Sequence, residues 1–161
     1  MKHIISTLGE NKPGVLAHVA GMFAARAFTI DSLVVGRTED PKLSRMTIVV
    51  VGDDRVLEQV RKQLERLIPV VKVQDFAGKP VVARDLMLIT ISAPSEKRPE
   101  ILTLIEMFKG KVVDIGQKFV MVEVSGPEEK IEAFIEMCRP YGIKNVARTG
   151  TIVMPRQAKE T

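Results

Sequence analysis

Imidazole and thiol chemistry has little to work with in this chain, whose 161 residues include two histidines, His3 and His18, and one cysteine, Cys138. No Gly-x-Ser-x-Gly elbow and no His-Glu-x-x-His pair is present, so neither a nucleophilic triad nor a histidine-built metal centre is spelled out. Cys138 lies among Phe134, Ile135 and Met137 on a helical pattern and reads as a buried thiol. A lone thiol excludes a disulfide scaffold and fits a reducing compartment. Gly9 and Gly14 have the spacing of a phosphate loop, but Val15 and Leu16 stand where Lys and Ser or Thr would reach phosphate and magnesium. The acidic pairs Asp53-Asp54 and Glu128-Glu129 fall at helix starts, where capping and the helix dipole account for them. No catalytic residue and no metal ligand is expected.

One stretch remains with a chemical offer, Glu10-Asn11-Lys12-Pro13-Gly14. It joins an apolar N-terminal run to an amphipathic segment, so a helix should begin there, with Asn11 as its cap and Pro13 in its first turn. Such a start presents unpaired backbone N–H groups at Gly14, Val15 and Leu16 beside an amide side chain, which favours a small carboxylate. Gly14 has no Cβ to hold a ligand away, and Leu8, Val15, Ile30 and Leu33 would form an aliphatic wall. An α-amino acid fits that description. From the residues alone, Asn11 also reads as a plain helix cap and Gly14 as a plain turn residue.

The elements that would hold this loop follow from periodicity. Residues 3–9 are β-favouring, and Val15, Val19, Met22 and Phe23 recur at helical spacing. Residues 29–36 and 45–52 are β-branched runs around a polar loop with Asp40-Pro41, which predicts a hairpin. Asp53 or Asp54 caps a helix carrying Leu57, Val60, Leu64 and Leu67 on one face, and Pro69 ends it before a strand at 70–76. The same β-α-β-β-α-β order recurs in the second half: strand 86–92, helix 97–109 stopped by Gly110, strands 111–116 and 119–125, a helix opening at Gly126-Pro127, and a strand at 143–148. The fold class is therefore α+β, two ferredoxin-like units each with two helices on one sheet face. The domains are expected at 1–77 and 86–150, with a linker at 78–85 and a loose tail at 151–161. Ile48, Val50, Val120 and Val122 sit in runs apolar on both faces, so the sheets are expected to be covered by the other repeat or by a second chain.

Charge narrows the partners. The net charge is +4, spread as 12 basic and 9 acidic residues in positions 1–80 and 12 and 11 in the remainder, with no basic arm or membrane patch. The RNA-recognition fold shares the strand order, but its stacking aromatics are missing: the central strand runs of the first half hold none and the second half offers Phe119 alone. The N-terminus turns polar too early for a signal peptide and no apolar run is long enough to span a bilayer, so a cytoplasmic protein without nucleic-acid or membrane partners is expected.

Several stretches carry a family resemblance that covers nearly the whole chain. They are Glu10-Asn11-Lys12-Pro13-Gly14-Val15-Leu16, the run from Thr38 through Asp40, Pro41 and Arg45 to Ile48, Asp85-Leu86-Met87-Leu88-Ile89, Phe108-Lys109-Gly110-Lys111-Val112-Val113-Asp114, and Ala147-Arg148-Thr149-Gly150. Together they resemble the regulatory (small) subunits of acetolactate synthase, within the ACT superfamily of amino-acid-binding domains. The resemblance implies an N-terminal ACT domain that pairs with its copy in a second chain, an ACT-like C-terminal domain, and a separate catalytic subunit holding thiamine diphosphate, FAD and magnesium, with no cofactor in this chain. It also implies feedback inhibition by valine, bound through Asn11, Lys12, Pro13, Gly14, Val15 and Leu16 of one chain and Thr29 and Ile30 of its partner.

The sequence departs from the family at Arg26-Ala27-Phe28-Thr29-Ile30, where the family usually reads Arg-Gly-Phe/Tyr-Asn-Ile. Thr29 keeps a hydroxyl but loses the amide's reach and two N–H donors, a change of about 1–3 kcal/mol if the group is buried against ligand. Weaker feedback, or another effector, is the expectation. Ala27 stands where a residue of positive φ is called for, and a turn of different shape is expected there. Arg148 has no evident partner in sequence, which makes the second domain the favoured surface for the catalytic subunit. A free-standing ACT-type amino-acid sensor serving another enzyme is the alternative reading, with RNA binding a distant third.

Overall fold

The structure, a computed structural model, describes residues 1–157. The chain forms two units, Met1–Val82 together with the segment that begins at Thr151, and Ala83–Gly150.

The first unit opens with strand β1 (Lys2–Glu10) and helix α1 (Val15–Ala25), whose buried residues are the four recurring apolar positions Val15, Val19, Met22 and Phe23. The β-branched runs become β2 (Thr29–Arg37) and β3 (Leu43–Val51). Helix α2 (Asp54–Glu65) is capped by Asp53, whose Oδ1 accepts the Val56 N–H at 3.0 Å, and it buries Leu57, Val60 and Leu64. Strand β4 (Val70–Asp75) follows Pro69. The sheet is antiparallel in the order β2-β3-β1-β4. Ile5, Ile48 and Val50 pack with Val19, Phe23, Leu57, Val60 and Leu64 as one core, each such side chain worth roughly 1.5–3 kcal/mol of transfer from water.

The second unit repeats the plan with β5 (Val81–Ser92), α3 (Arg98–Met107), β6 (Lys111–Ile115), β7 (Phe119–Gly126), α4 (Glu128–Cys138) and β8 (Ile143–Arg148), in the order β6-β7-β5-β8. Its core joins Met87, Ile89, Ile91, Val120 and Val122 to Ile101, Leu104, Ile131 and Phe134. The repeat extends to backbone detail. A bulge interrupts β2 against β3 between Ile30 and Ser32, and a bulge interrupts β6 against β7 between Val112 and Asp114. Ala27, with φ 53°, and Lys109, with φ 54°, are both left-handed residues two positions before those strands. Each is followed by an N–H that reaches back five residues: Phe28 to the Phe23 carbonyl at 3.1 Å, Gly110 to Ile105 at 2.9 Å.

Several expectations are corrected. The helix after β1 starts at Val15, capped by Gly14 in the left-handed conformation (φ 87°) with no side-chain cap bond, so Asn11 is not its cap and Pro13 lies before it. Ala27 adopts the positive φ despite its Cβ, so the turn before β2 keeps its shape. Gly110 stops α3 through space and not through φ. The left-handed residue is Lys109, whereas a Cβ on Gly110 would sit 3.0 Å from Val122 Cγ1 and 3.1 Å from Ile105 Cγ2. Ile48, Val50, Val120 and Val122 pack against the helices of their own units, so the expected cover concerns the opposite faces of the sheets. Residues 81–85 of the expected linker are strand, and so is β9 (Ile152–Pro155) within the expected tail, which pairs with β5 and buries Val153. Gly78 and Pro80 suggested a linker; the β-branched Val81, Val82, Ile152 and Val153 make strand instead. The end of that tail, 158–161, lies outside the described residues.

The two glycine roles separate in a denaturation experiment. Lys109→Gly should raise unfolding stability by about 1 kcal/mol by relieving the left-handed backbone, and Gly110→Ala should lower it by about 1–3 kcal/mol through overpacking. Urea midpoints at unchanged slope report both.

Candidate functional site

The loop after β1 is fixed from both sides. The Glu10 N–H donates to the Pro69 carbonyl at 2.9 Å and the Asn11 N–H to the Lys42 carbonyl at 2.7 Å. The Asn11 side chain donates through Nδ2 to the Pro41 carbonyl at 3.2 Å, and Lys12 Nζ lies 3.1 Å from Glu10 Oε2. The acceptor loop is itself internally bonded: the Thr38 hydroxyl lies within hydrogen-bond distance of the Asp40 and Leu43 carbonyls, and Asp40 Oδ1 accepts the Lys42 N–H at 2.9 Å. Asn11 thus joins the β1–α1 loop to the β2–β3 loop, with its amide oxygen directed away from Pro41. Glu10, Asn11, Lys12, Asp40, Lys42 and Val71 are among the residues around an open cavity of about 490 Å³ at this end of the sheet.

The helix start is exposed alongside. The first intrahelical bond of α1 runs from the His18 N–H to the Gly14 carbonyl at 3.0 Å, so the N–H groups of Val15, Leu16 and Ala17 precede the ladder. A Cβ on Gly14 would meet no atom within 4 Å, so glycine is needed there for its φ, and the space above it is open. Leu16 is 45% exposed, whereas Val15 and Leu33 belong to the core and do not line an open wall.

Thr29 and Ile30 are exposed but far from Asn11 within one chain. Thr29 is opposite Val51 and Arg37 opposite Ser44, while Glu10 is opposite Leu43. Asn11 therefore sits at the Arg37 end of the sheet and Thr29 at the other, roughly 26 Å away at strand rise. The chain brings Asn11, Lys12, Pro13, Gly14 and Leu16 together and does not add Thr29 and Ile30 to them.

The polar cluster that sequence reasoning missed is in the second unit. Asp85, 2% exposed, accepts hydrogen bonds from Arg148 Nε at 3.1 Å, Arg148 Nη2 at 2.6 Å, Thr149 Oγ1 at 3.2 Å and the Gly150 N–H at 3.2 Å. Arg148 Nη1 also donates to Glu132 Oε1 at 2.6 Å. Arg148 is thus not without partners, and its pairing removes the reason for assigning it to the catalytic subunit's docking surface. Burial by itself would lower the Arg148 pKa, but the hydrogen bonds to Glu132 and Asp85 outweigh it and hold the guanidinium above its ordinary value. The available signal was Asp85 at the head of an alternating strand, 63 residues before Arg148, a spacing that local pattern reading does not span.

The remaining reactive groups are quiet. Burial pushes the Cys138 thiol up to about 12, which leaves it protonated at neutral pH. His18 is exposed on α1. Among the described residues, no group of three or more His, Cys, Asp or Glu is placed to hold a metal ion, and no helix is long and apolar enough to cross a membrane.

Comparison with known proteins covers both units. The family model described as "AHAS small subunit-like ACT domain" matches residues 5–72, and that described as "Small subunit of acetolactate synthase" matches residues 84–157. The chain is 52% identical over 160 residues to the "Probable acetolactate synthase small subunit" of Archaeoglobus fulgidus, spanning 99% of this chain and 100% of that one. It is 48% identical over 157 residues to the acetolactate synthase small subunit of Aquifex aeolicus, spanning 97% of this chain and 82% of the relative. The crystal structure of the acetolactate synthase small subunit from Thermotoga maritima superposes with a TM-score of 0.90 at 39% identity, covering 98% and 99% of the two chains.

Arg148→Ala, which leaves Asp85 as a buried charge with only Thr149 and Gly150 as donors, should cost about 2–4 kcal/mol in urea unfolding, while Glu132→Gln should cost under about 1 kcal/mol.

Proposed function

The chain belongs to the acetolactate synthase small-subunit family, regulatory rather than catalytic chains, and from that premise we propose that it raises the activity of the catalytic subunit on association and carries feedback inhibition by valine. The observation that carries the ligand part is the anchored loop at 10–14. Asn11 Nδ2 is spent on Pro41, which leaves its amide oxygen to accept from an α-ammonium group. The Val15 and Leu16 N–H groups at the start of α1 take the carboxylate. Leu16 and an aliphatic side chain from across the site surround the branched side chain of the ligand.

The second half of the site comes from a second chain. β2 is an edge strand of its sheet, with one side of its backbone unpaired within the chain. Antiparallel pairing of two β2 edges about a two-fold axis sets Thr29 and Ile30 of one chain beside Arg37 of the other, which is the Asn11 end. The 26 Å that separates the two half-sites within a chain is thereby closed between chains. Ligand at such a junction binds one arrangement of the dimer better than another and shifts the population toward it. Linkage then requires the catalytic subunit to alter valine affinity by the same factor by which valine alters its own binding. Thiamine diphosphate, FAD and magnesium belong to that subunit in this reading, and the small chain supplies no reacting group.

Two measurements test the reading. Calorimetric titration of valine into the protein should give saturable heat, and acetolactate formation by the cognate catalytic subunit should rise on adding the protein and fall when valine is added. Thr29→Asn, which restores an amide at the junction, should tighten valine about tenfold, equivalent to roughly 1.4 kcal/mol. Absence of heat together with an unchanged rate removes valine; an unchanged rate on adding the protein alone removes the regulatory role.

A further inference from the structure

The second unit also has a cavity at the end of its sheet that corresponds to the 10–14 loop, with a volume of about 840 Å³. Ser92 and Arg98 reach it from the end of β5 and the start of α3, and Gln117 and Lys118 from the β6–β7 loop. These two loops are joined. The Ala93 N–H donates to the Lys118 carbonyl at 2.8 Å, and Arg98 Nε donates to the Ala93 carbonyl at 3.3 Å. Arg98 Nη2 lies within hydrogen-bond distance of the Ala93, Gly116 and Gln117 carbonyls, the last at 2.9 Å. The guanidinium is therefore held in place before any ligand arrives, which lowers the ordering cost of binding.

Carbonyl oxygens orient a guanidinium without neutralising it. Among the described residues, Arg98 has no carboxylate partner, its Nη1 has no acceptor, and the exposed Lys118 amine has no partner. Neighbouring cations are different: Lys97 has Glu100 at 3.7 Å, and in the first unit's loop Lys12 has Glu10 at 3.1 Å. Glu96 is the one carboxylate among the residues around the cavity, against the two cations, so the lining is net positive. The two free N–H groups of Nη1 suit an oxyanion. Beside them Pro99 and Leu102, the latter 40% exposed, give an aliphatic surface.

We propose that this cavity binds a small aliphatic carboxylate, with its carboxyl group on Arg98 Nη1 and the Lys118 amine and its hydrocarbon part against Leu102 and Pro99. Side chains carry the recognition, because Pro99 removes a backbone donor from the first turn of α3. An ammonium group on the ligand is not needed: both cations would repel it. The second unit thus takes a ligand of different charge from the amino acid of the first, and the inference does not rest on the valine site.

Isovalerate, which is valine without its ammonium group, is the probe. Titrated into the isotope-labelled full chain, it should shift the amide resonances of Ser95, Gln117 and Lys118 saturably, with half-saturation at about 1–10 mM. Lys118→Gln should weaken that binding about threefold, and Glu96→Gln, which removes the one repulsive charge, should tighten it about twofold. Both side chains are exposed and neither belongs to the Arg98 clamp, and unchanged thermal unfolding of each variant separates lost binding from lost folding. Asn11→Ala should leave isovalerate binding as it is, so loss of the valine site and loss of this one are told apart. Inorganic phosphate should bind more weakly than isovalerate, having no hydrocarbon part for Leu102. Shifts that do not saturate, or that are confined to residues 11–16, would overturn the proposal. So would Lys118→Gln without effect, Glu96→Gln weakening the binding, or phosphate binding as tightly as isovalerate.

Discussion

A four-stranded antiparallel sheet under two helices satisfies its backbone everywhere except at its rims, and the unpaired N–H and C=O groups of an edge strand need a partner or water. The path β-α-β-β-α-β places β2 at one rim of the first sheet and β6 at one rim of the second. The strands' antiparallel direction then bears on the proposed function. It puts Asn11 and Thr29 at opposite ends of one sheet, and in the dimer proposed above two β2 edges running against each other bring them together. A ligand site split between chains in this way senses the junction itself, which suits a chain whose role is to alter another subunit.

The two units share a chassis and differ at the loop that matters. Bulge, left-handed residue and reach-back bond recur at equivalent places in both. At the first helix start, Gly14 takes φ 87° and opens the space over the N–H groups of Val15 and Leu16. At the equivalent start in the second unit, Pro99 removes an N–H from the first turn of α3, and Arg98 spends its guanidinium on the carbonyls of Ala93, Gly116 and Gln117. The second unit's polar residues go into structure, in that clamp and in the Asp85–Arg148 network. This asymmetry is the physical reason to place the amino acid in the first unit.

Much of the fold was legible because it depends on period and punctuation. Val15, Val19, Met22 and Phe23, the pair of β-branched runs around Asp40-Pro41, and the Asp53 cap each signal their element locally, and each element formed. What was not legible depends on distant partners. Nothing near Asn11 in sequence announces that the Pro41 carbonyl, 30 residues on, holds its side chain, nor that Asp85 awaits Arg148. A cap and a bridge between loops call for the same residue type, so Asn11 was misplaced by one role. Ala27 shows the reverse case: its side chain argued against a left-handed turn, and the surrounding pairing, with the Phe28 N–H held by Phe23, imposes it.

The claim that the amino-acid site is shared between chains is tested most directly by mixing two disabled proteins. Asn11→Ala and Thr29→Lys each remove one half-site, and neither homodimer should bind valine. After the two are unfolded together and refolded in equal amounts, a shared site predicts that valine binding returns at about one site in four, since half the dimers are mixed and each has one site built from intact halves. Calorimetric stoichiometry near that value bears the account out; no recovered binding, with mixed dimers demonstrated by mass, would contradict it.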